Sequence, residues 1–389
     1  MRCLQWGVVL GMFVAPSLLR AESPVRAAAH SMNVPNQGVR ITPLAVPGSK
    51  FQSLNPGLKD FPKYTAGSAV TTVVSPDGKT LLVLTSGYNV LFSSTGKRLP
   101  KDSTQFVFVF DIAHGTPVQT QAIAVPNTYC GIVFDPDGKT FYVSGGVDDN
   151  VHIFDLGSDG WAERTGSPVA LGHGGKGNGI KVKPQAAGIA ITANGEQIVI
   201  ANYGNDSISV LTKAPENVWE KTGELDLRPG KIDPAESGVP GGEYPFWVTI
   251  KGNDTAYVSS LRDRGVDVVA LGTKPRLTAR IRLRGQPNKM CLNADGTRLY
   301  VAQDESDSIA VIDTAKNQLV NDIFAGGPAE FSLFSSQETG NNTNDVALSR
   351  DGKYLYVTNG TANDVAVISL EDDKVIGLIP TGLYPDSVS

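Results

Sequence analysis

Short apolar stretches alternate with polar turns along most of the chain, and this alternation recurs as a repeat. In the clearest copy, Asn344-Asp-Val-Ala-Leu-Ser349 and Tyr354-Leu-Tyr-Val-Thr-Asn359 flank the turn Arg350-Asp-Gly-Lys353. Asp-Gly and Asn-Gly adopt the positive φ angles that a tight hairpin requires. The repeat predicts six hairpins whose turn residues are spaced by 42 to 60 positions, the fourth copy being the loosest: Asp77, Asp137, Asn194, Asn253, Asp295 and Asp351.

Each copy predicts four antiparallel strands. The hairpin joins the first two strands, and a polar turn leads to an alternating third strand such as Val365-Ala-Val-Ile368. A fourth strand, such as Leu319 to Phe324, closes the unit. Four-stranded repeats are the blades of a β-propeller, whereas a β-sandwich, the other all-β alternative, does not require strict repetition. We therefore predict an all-β propeller of the seven-bladed type with six complete blades.

Several motifs resemble a known family. Tyr356-Val-Thr-Asn359 is the signature of the YVTN-type β-propeller repeat, and the stretches Leu227 to Pro234, Ser237 to Trp247 and Thr85 to Asn89 narrow the resemblance. Over residues 38–389 the chain resembles the N-terminal propeller of bacterial bifunctional proteins that carry an alkaline-phosphatase-like phosphoesterase domain. The resemblance implies a downstream phosphoesterase domain as a partner on the same chain.

The last residues match only the beginning of a further copy. Pro385 corresponds to Pro287, which lies eight residues before its turn residue Asp295. We expect residues 385–389 to form the first strand of a seventh blade. The rest of that blade is expected beyond Ser389, which would make this chain a fragment.

The N-terminus predicts export. Arg2 precedes an apolar run from Trp6 to Leu19, and small residues follow at positions 21 and 27–29. This pattern is typical of a signal peptide, here residues 1–27 with cleavage near positions 21–29, and the run is too short to span a bilayer. We predict a periplasmic or secreted protein with no stable membrane span.

Charge and cysteine content narrow the possible functions. The formal net charge is −5, and the chain contains no run rich in lysine or arginine. A nucleic-acid-binding surface needs concentrated positive charge, so no nucleic-acid partner is expected. Beyond the N-terminal segment only Cys130 and Cys291 remain, in different repeats. We expect both to be buried, unpaired thiols.

The usual catalytic motifs are missing from the sequence. The four histidines lack ligand spacing, and no Gly-x-Ser-x-Gly motif occurs. The glycine-rich segment 172–179 lacks the Ser or Thr that follows the lysine of a phosphate-binding loop, because Lys176 is followed by Gly177. The sequence therefore predicts no catalytic residues, no metal site and no cofactor, and it predicts that this chain is not an enzyme.

The long connections predict where binding occurs. Segments 86–104, 172–185, 228–244 and 328–343 fall between second and third strands or between blades, and both kinds of connection emerge on one face of a propeller. Long loops on a rigid scaffold often carry function. The candidate ligand- or partner-binding residues at this long-loop face are Phe246, Trp247, Asn288, Lys289, Asn344, Asp345, Asn202, Gln303 and Asn359.

Two functions fit this arrangement. The leading hypothesis is a docking scaffold that binds the downstream phosphoesterase domain, or another protein, through the long-loop face. The alternative is a lactonase-like enzyme that uses a polar central funnel, because some related-looking propellers are lactonases, sometimes with a divalent metal. The carboxylates that the repeat places in the funnel are Asp345 and Asp386, and Asp386 falls in the unfinished seventh copy.

Overall fold

The computed structural model describes residues 32–33, 40–41, 50–87, 89–328 and 339–389. A two-stranded pair, β1 (Met32–Asn33) and β2 (Arg40–Ile41), precedes the propeller. The predicted signal peptide, residues 1–27, lies outside the described residues, so its cleavage and export stay predictions.

Six antiparallel sheets form the blades of the propeller, as the repeat predicts. The first blade contains β3 (Ala69–Val74), β4 (Thr80–Thr85), β5 (Gln105–Asp111) and β6 (Val118–Val125). The second contains β7 (Ile132–Phe134), β8 (Thr140–Ser144), β9 (Asn150–Gly157), β10 (Gly160–Glu163) and β11 (Val169–Ala170). Both β10 and β11 pair with β9, so they share the fourth-strand position of this blade.

The remaining blades have four strands each. The third contains β12 (Ala186–Ile191), β13 (Gln197–Asn202), β14 (Ser207–Lys213) and β15 (Trp219–Asp226). The fourth contains β16 (Pro245–Lys251), β17 (Thr255–Ser260), β18 (Gly265–Ala270) and β19 (Arg276–Arg282). The fifth contains β20 (Pro287–Leu292), β21 (Arg298–Gln303), β22 (Ser308–Asp313) and β23 (Gln318–Phe324), and the sixth contains β24 (Thr343–Leu348), β25 (Tyr354–Asn359), β26 (Asp364–Ser369) and β27 (Lys374–Pro380).

Helix is confined to connections. The described residues include one short α-helix, α1 (Pro229–Ile232), and three 3-10 turns, Pro215–Asn217, Pro234–Glu236 and Asp304–Ser306. No helix in these residues is long and apolar enough to cross a membrane. The all-β prediction is therefore confirmed.

The predicted hairpins form as expected. At the first of them, Gly78 has a φ of 71° and its N–H donates to the Ser75 carbonyl oxygen at 2.8 Å. The Asp77 carboxylate accepts hydrogen bonds from the Ser75 hydroxyl at 2.6 Å and from the Lys79 N–H at 3.1 Å. Aspartate closes the turn and glycine supplies the left-handed conformation, which explains the recurrence of this pair in the repeat.

The apolar residues of each blade divide between two neighbouring cores. In the third blade, Ile208 and Val210 pack with Val258 of the fourth blade. A bulge in the pairing of β14 with β15 lies between Val210 and Leu211. Leu211 packs on the other side of the blade, with Ile153 of the second blade. The first strands of successive blades contact one another, so the polar ends of those strands meet around a central channel.

The C-terminal segment lies between the sixth and first blades. The Ser387 hydroxyl donates to Asp345 at 2.6 Å and accepts a hydrogen bond from the Thr72 N–H at 3.0 Å. No strand is assigned within residues 381–389. The first strand of a seventh blade therefore stays a prediction, although this segment occupies the expected place.

Both remaining cysteines are unpaired, as predicted. Cys130 is buried and Cys291 is half-buried by surface area. Burial raises the pKa of each thiol to about 12. Such thiols are protonated at neutral pH and are poor nucleophiles.

Candidate active site

A cavity of about 130 Å³ opens at the channel mouth. The residues around it come from the first strands of four blades, from the segment preceding β7 and from the C-terminal segment. They are Val70, Tyr129, Cys130, Phe246, Asn288, Lys289, Asn344, Tyr384 and Asp386, which we call the channel pocket.

Five of the pocket residues share one repeat position. Val70, Cys130, Phe246, Asn288 and Asn344 each lie seven residues before the turn residue of their copy. Aligning the repeat copies therefore gives a sequence signal for the pocket. Cys130 and Val70 carry this signal too, but their apolar character conceals it in a search for polar candidates.

β-bulges explain why consecutive residues both reach the channel. In β20 the pairing with β21 shifts register between Pro287 and Met290, and β16 and β24 shift at equivalent places. A bulge interrupts the alternation of side chains between the two faces of a strand. Asn288 and Lys289 consequently both line the pocket instead of pointing to opposite faces.

The structure brings six of the predicted site residues together. Four of them, Phe246, Asn288, Lys289 and Asn344, line the pocket directly. Asp345 lies behind it, with its Oδ2 atom 3.3 Å from Lys289 Nζ. The Trp247 ring lies with its centroid 5.5 Å from the same nitrogen, a distance that permits a cation–π interaction.

Lys289 organises the pocket. Its ammonium group donates to the carbonyl oxygens of Val70 at 2.5 Å and Asp386 at 2.8 Å, and to the Asp345 carboxylate. The side chain is buried, so these three acceptors match the three N–H groups of the ammonium. Lys289 thus ties the fifth blade to the first blade and to the C-terminal segment.

The Asp386 carboxylate and the Asn344 amide nitrogen make no hydrogen bond of normal geometry with the described residues. The Asp386 carboxylate accepts no hydrogen bond there, and burial raises its pKa although Lys289 opposes the shift. Asn344 is buried and its Oδ1 atom accepts a hydrogen bond from the Thr358 hydroxyl, but its Nδ2 atom makes no hydrogen bond of normal geometry. The Asn344 side chain does lie close enough to the Tyr384 hydroxyl to oppose the rise in the pKa of that phenol that burial causes. A carboxylate and an amide donor are therefore available to a ligand.

The three remaining predicted residues lie elsewhere. Asn202, Gln303 and Asn359 end the second strands of their blades and are fully buried. Their amide groups donate within the protein, to Ser207 Oγ at 3.0 Å, Asp322 Oδ1 at 2.6 Å and the Ala325 carbonyl oxygen at 2.9 Å. The structure does not bring them to the channel pocket.

The pocket residues do not fit a divalent metal. No group of three or more His, Cys, Asp or Glu side chains with suitable geometry occurs in the part of the chain that the structure describes. Asp345, one of the two carboxylates here, is already paired with the Lys289 ammonium. Divalent cations such as Mg²⁺ and Ca²⁺ require several free oxygen ligands.

Comparisons with known proteins show what this chain is similar to. The family described as "Lactonase, 7-bladed beta-propeller" matches residues 72–221. A search of curated protein sequences found no match.

Solved structures share the propeller over most of its length. The periplasmic gluconolactonase of Pseudomonas aeruginosa is 16% identical, with a TM-score of 0.59 over 83% of this chain and 88% of that chain. A putative 6-phosphogluconolactonase from Bacteroides fragilis is 15% identical, with a TM-score of 0.57 over the same shares. The hydrazine synthase of Kuenenia stuttgartiensis is also 15% identical, with a TM-score of 0.57 over 88% of this chain and 92% of that chain. At these identities the structures show the fold alone.

The family match corrects two expectations from the sequence. The leading hypothesis of a docking scaffold is wrong, because the matched family is one of lactonases. The prediction that this chain is not an enzyme is wrong for the same reason. A search for local catalytic motifs does not test the channel pocket. Five of the pocket residues occupy one repeat position on separate blades, so no local motif contains them.

Proposed function

We propose that this protein hydrolyses a small polar lactone in the channel pocket. The observation that carries the proposal is that an unpartnered carboxylate, Asp386, and an unpartnered amide donor, Asn344, line one cavity. The similarity of residues 72–221 to the lactonase family supplies the reaction class.

The pocket groups have complementary roles in this reaction. The Asp386 carboxylate accepts a proton from a water molecule while the water oxygen forms a bond to the lactone carbonyl carbon. The carbonyl oxygen becomes an oxyanion, to which Asn344 Nδ2 donates a hydrogen bond. When the intermediate collapses, the ring C–O bond breaks and the leaving alkoxide takes the proton from Asp386. The product is a hydroxy acid that loses its own proton to solvent.

The remaining walls suit a lactone ring. Tyr129 and Phe246 meet edge to face, with their ring centroids 5.9 Å apart, and they provide an apolar side to the pocket. Asn288 is half-buried, and no hydrogen bond to its side chain occurs within the described residues. A hydroxylated ring would place its C–H groups against the aromatic side and its hydroxyls toward the amide.

Hydrolysis of gluconolactone and of unsubstituted γ- and δ-lactones, followed in a pH-stat after subtraction of the spontaneous reaction, tests the proposal. Asp386→Asn should lower kcat by about 10²- to 10⁴-fold because the general base is lost. Asn344→Ala should lower kcat by about 10²-fold because one oxyanion donor is lost. Lys79→Ala, on the opposite hairpin face, is the control and should leave kcat unchanged. Undiminished hydrolysis by Asp386→Asn would exclude this mechanism.

The pH dependence provides a second test. Asp386 must be ionised to accept a proton, and burial raises its pKa above the ordinary aspartate value. We expect kcat/KM to fall on acidification at a pH above that ordinary value, and the Asp386→Asn variant to lose this acidic limb. An acidic limb that persists in the variant would assign it to another group.

The proposals of export and of a link to a phosphoesterase domain rest on sequence motifs. We propose that residues 1–27 direct export to the periplasm or beyond, and N-terminal sequencing of the protein from its host should find a start between positions 22 and 30. The YVTN-type repeat and the link to a phosphoesterase domain are supported by motif resemblance alone. The reading frame beyond Ser389 would test that link.

A further inference from the structure

A row of aromatic rings leads outward from the channel pocket. The Tyr129 ring, beside Phe246 in the pocket, lies 5.9 Å from the Tyr203 ring, and Tyr203 stacks on Tyr244 at 4.9 Å between centroids. Tyr244 is 37% exposed, and the others are half-buried. Within the described residues the hydroxyl groups of these three tyrosines make no hydrogen bond. The row therefore presents apolar ring surface together with available polar groups.

Arg262 lies between the row and a second, larger cavity. The guanidinium group of Arg262 lies 5.9 Å from the centroid of the Tyr244 ring and pairs with Glu243 at 3.0 Å. Arg262 also lines a cavity of about 380 Å³ beneath the inserted segment 228–244. The aromatic row thus extends from the channel pocket to Arg262, which lines the outer cavity.

The outer cavity contains a buried acceptor without a partner. Asp267 is 2% exposed, and its Oδ1 atom accepts a hydrogen bond from Arg280 at 2.6 Å. Its Oδ2 atom has no partner among the described residues. Buried polar atoms are nearly always hydrogen-bonded, and because Asp267 lines the cavity, a ligand there can supply the missing donor.

Glycine allows the inserted segment to cover this acceptor closely. A Cβ atom at Gly241 would lie 3.1 Å from the Arg280 guanidinium, and one at Gly242 would lie 2.2 Å from the Leu227 carbonyl oxygen. Both positions also have φ in the range that favours glycine. The roof of the cavity therefore depends on these two residues and packs directly over the Asp267–Arg280 pair.

We propose that the outer cavity and the aromatic row bind a glycosyl group attached to the lactone ring, so that the substrate is a glycosylated aldonolactone. This inference rests on the proposed function, because the channel pocket would hold the lactone end. A sugar ring has an apolar C–H face that packs on tyrosine rings and hydroxyls that bond to their polar atoms. An aryl substituent would use the rings but leave Asp267 Oδ2 without a donor.

The charge state of the acceptor favours a neutral ligand. Burial raises the pKa of Asp267 to about 7, although the neighbouring Arg280 opposes the shift. The carboxyl group is therefore partly protonated near neutral pH. A sugar hydroxyl can donate to the ionised form or accept from the protonated form, whereas a cationic ligand would require the ionised form.

Binding of the non-hydrolysable acids tests the inference independently of catalysis. Calorimetry would compare cellobionate and maltobionate, which are disaccharide acids, with gluconate. We expect at least one disaccharide acid to bind about tenfold more tightly than gluconate. Tyr244→Asn, which suits the φ of 53° at this position, should abolish that advantage. Asp267→Leu, which removes both the acceptor and the donor, should do the same. Tyr354→Asn, in the sixth blade, should retain it.

The outcomes separate the two proposals. Preferential disaccharide binding without hydrolysis of any lactone would support the outer subsite and overturn the proposed reaction. Hydrolysis of gluconolactone with no preference for either disaccharide acid would overturn the subsite and leave the reaction standing. Loss of binding to an aryl-substituted acid, but not to a disaccharide acid, in Tyr244→Asn would overturn the glycosyl assignment. The surface variant Tyr244→Asn keeps the test decisive if Asp267→Leu does not fold.

Discussion

Two sets of amide side chains at the long-loop face differ in how their hydrogen bonds are satisfied. Asn359, at the end of the second strand of the sixth blade, is fully buried and accepts from the Thr343 hydroxyl while donating to Ala325 and Asp364, each at 2.9 Å. Asn288, on a first strand, lines the channel pocket, and no hydrogen bond to its side chain occurs within residues 50–87, 89–328 and 339–389. The same residue type thus serves folding in one place and is available to a ligand in the other.

This comparison separates structural from functional candidates better than burial does. Asn344 is nearly as buried as Asn359, at 4% and 0% exposure, yet its Nδ2 atom lacks a partner. A buried amide whose bonds are internal stabilises the blade, whereas a buried donor without a partner costs free energy unless something binds it. Asn202 Oδ1 in the structural set also lacks a partner, so the mark of the site is an amide nitrogen without an acceptor rather than unmet capacity in general.

The largest effect is expected at Asn359. Asn359→Ala removes three internal hydrogen bonds and leaves buried groups without partners, so the free energy of unfolding should fall by about 3 kcal/mol. Denaturant unfolding measures this loss, and kcat of the folded protein should be unchanged. If kcat fell while the free energy of unfolding stayed unchanged, Asn359 would be a binding residue and not a structural one.

The matched change in the pocket should give the opposite pattern. Asn288→Ala removes no internal bond, so the free energy of unfolding should change by less than about 0.5 kcal/mol. If Asn288 contacts a substrate hydroxyl, kcat/KM should fall about tenfold, which corresponds to about 1.4 kcal/mol. The same two assays apply. If Asn359→Ala and Asn288→Ala changed the free energy of unfolding and kcat/KM by equal amounts, hydrogen bonding would not distinguish structural from functional asparagines.

The fold was predictable from sequence because its information is local. Each Asp-Gly turn specifies a hairpin, and repetition of the hairpin with its flanking strands specifies blades, which the structure confirms. The site was predictable only in part. Phe246, Asn288, Lys289 and Asn344 were found because first strands converge on the channel.

The rest of the site depends on contacts that sequence does not encode locally. Lys289 donates hydrogen bonds to the carbonyl oxygens of Val70 and Asp386, which lie 219 and 97 positions away in the chain. The bulge between Pro287 and Met290 turns Asn288 and Lys289 to the same side, and no sequence motif predicts this bulge. Asn202, Gln303 and Asn359 have suitable chemistry, and only their bonding partners show that they lie apart from the pocket.

The smallest effect is expected at a histidine that connects the second and third blades. His173, in the glycine-rich segment 172–179, contacts Asp149 Oδ1 at 2.5 Å through Nδ1 and Glu224 Oε1 at 3.0 Å through Nε2. These hydrogen bonds, from Asp149 first and then Glu224, raise the pKa of His173 to about 9 from an ordinary value of 6.5. Like Asn359, this side chain has both of its polar atoms bonded within the protein.

The direction of the pH effect follows from that shift. A raised histidine pKa stabilises the folded state fully below pH 6.5, and the contribution is lost as the pH rises through about 9. His173→Gln lacks the titrating charge, so the wild-type advantage in Tm, about 1 to 3 °C near pH 6, should shrink steadily toward pH 9. Thermal unfolding of both proteins across this range measures the difference. If the difference in Tm stayed constant with pH, His173 would stabilise the protein through packing and not through its ion pairs with Asp149 and Glu224.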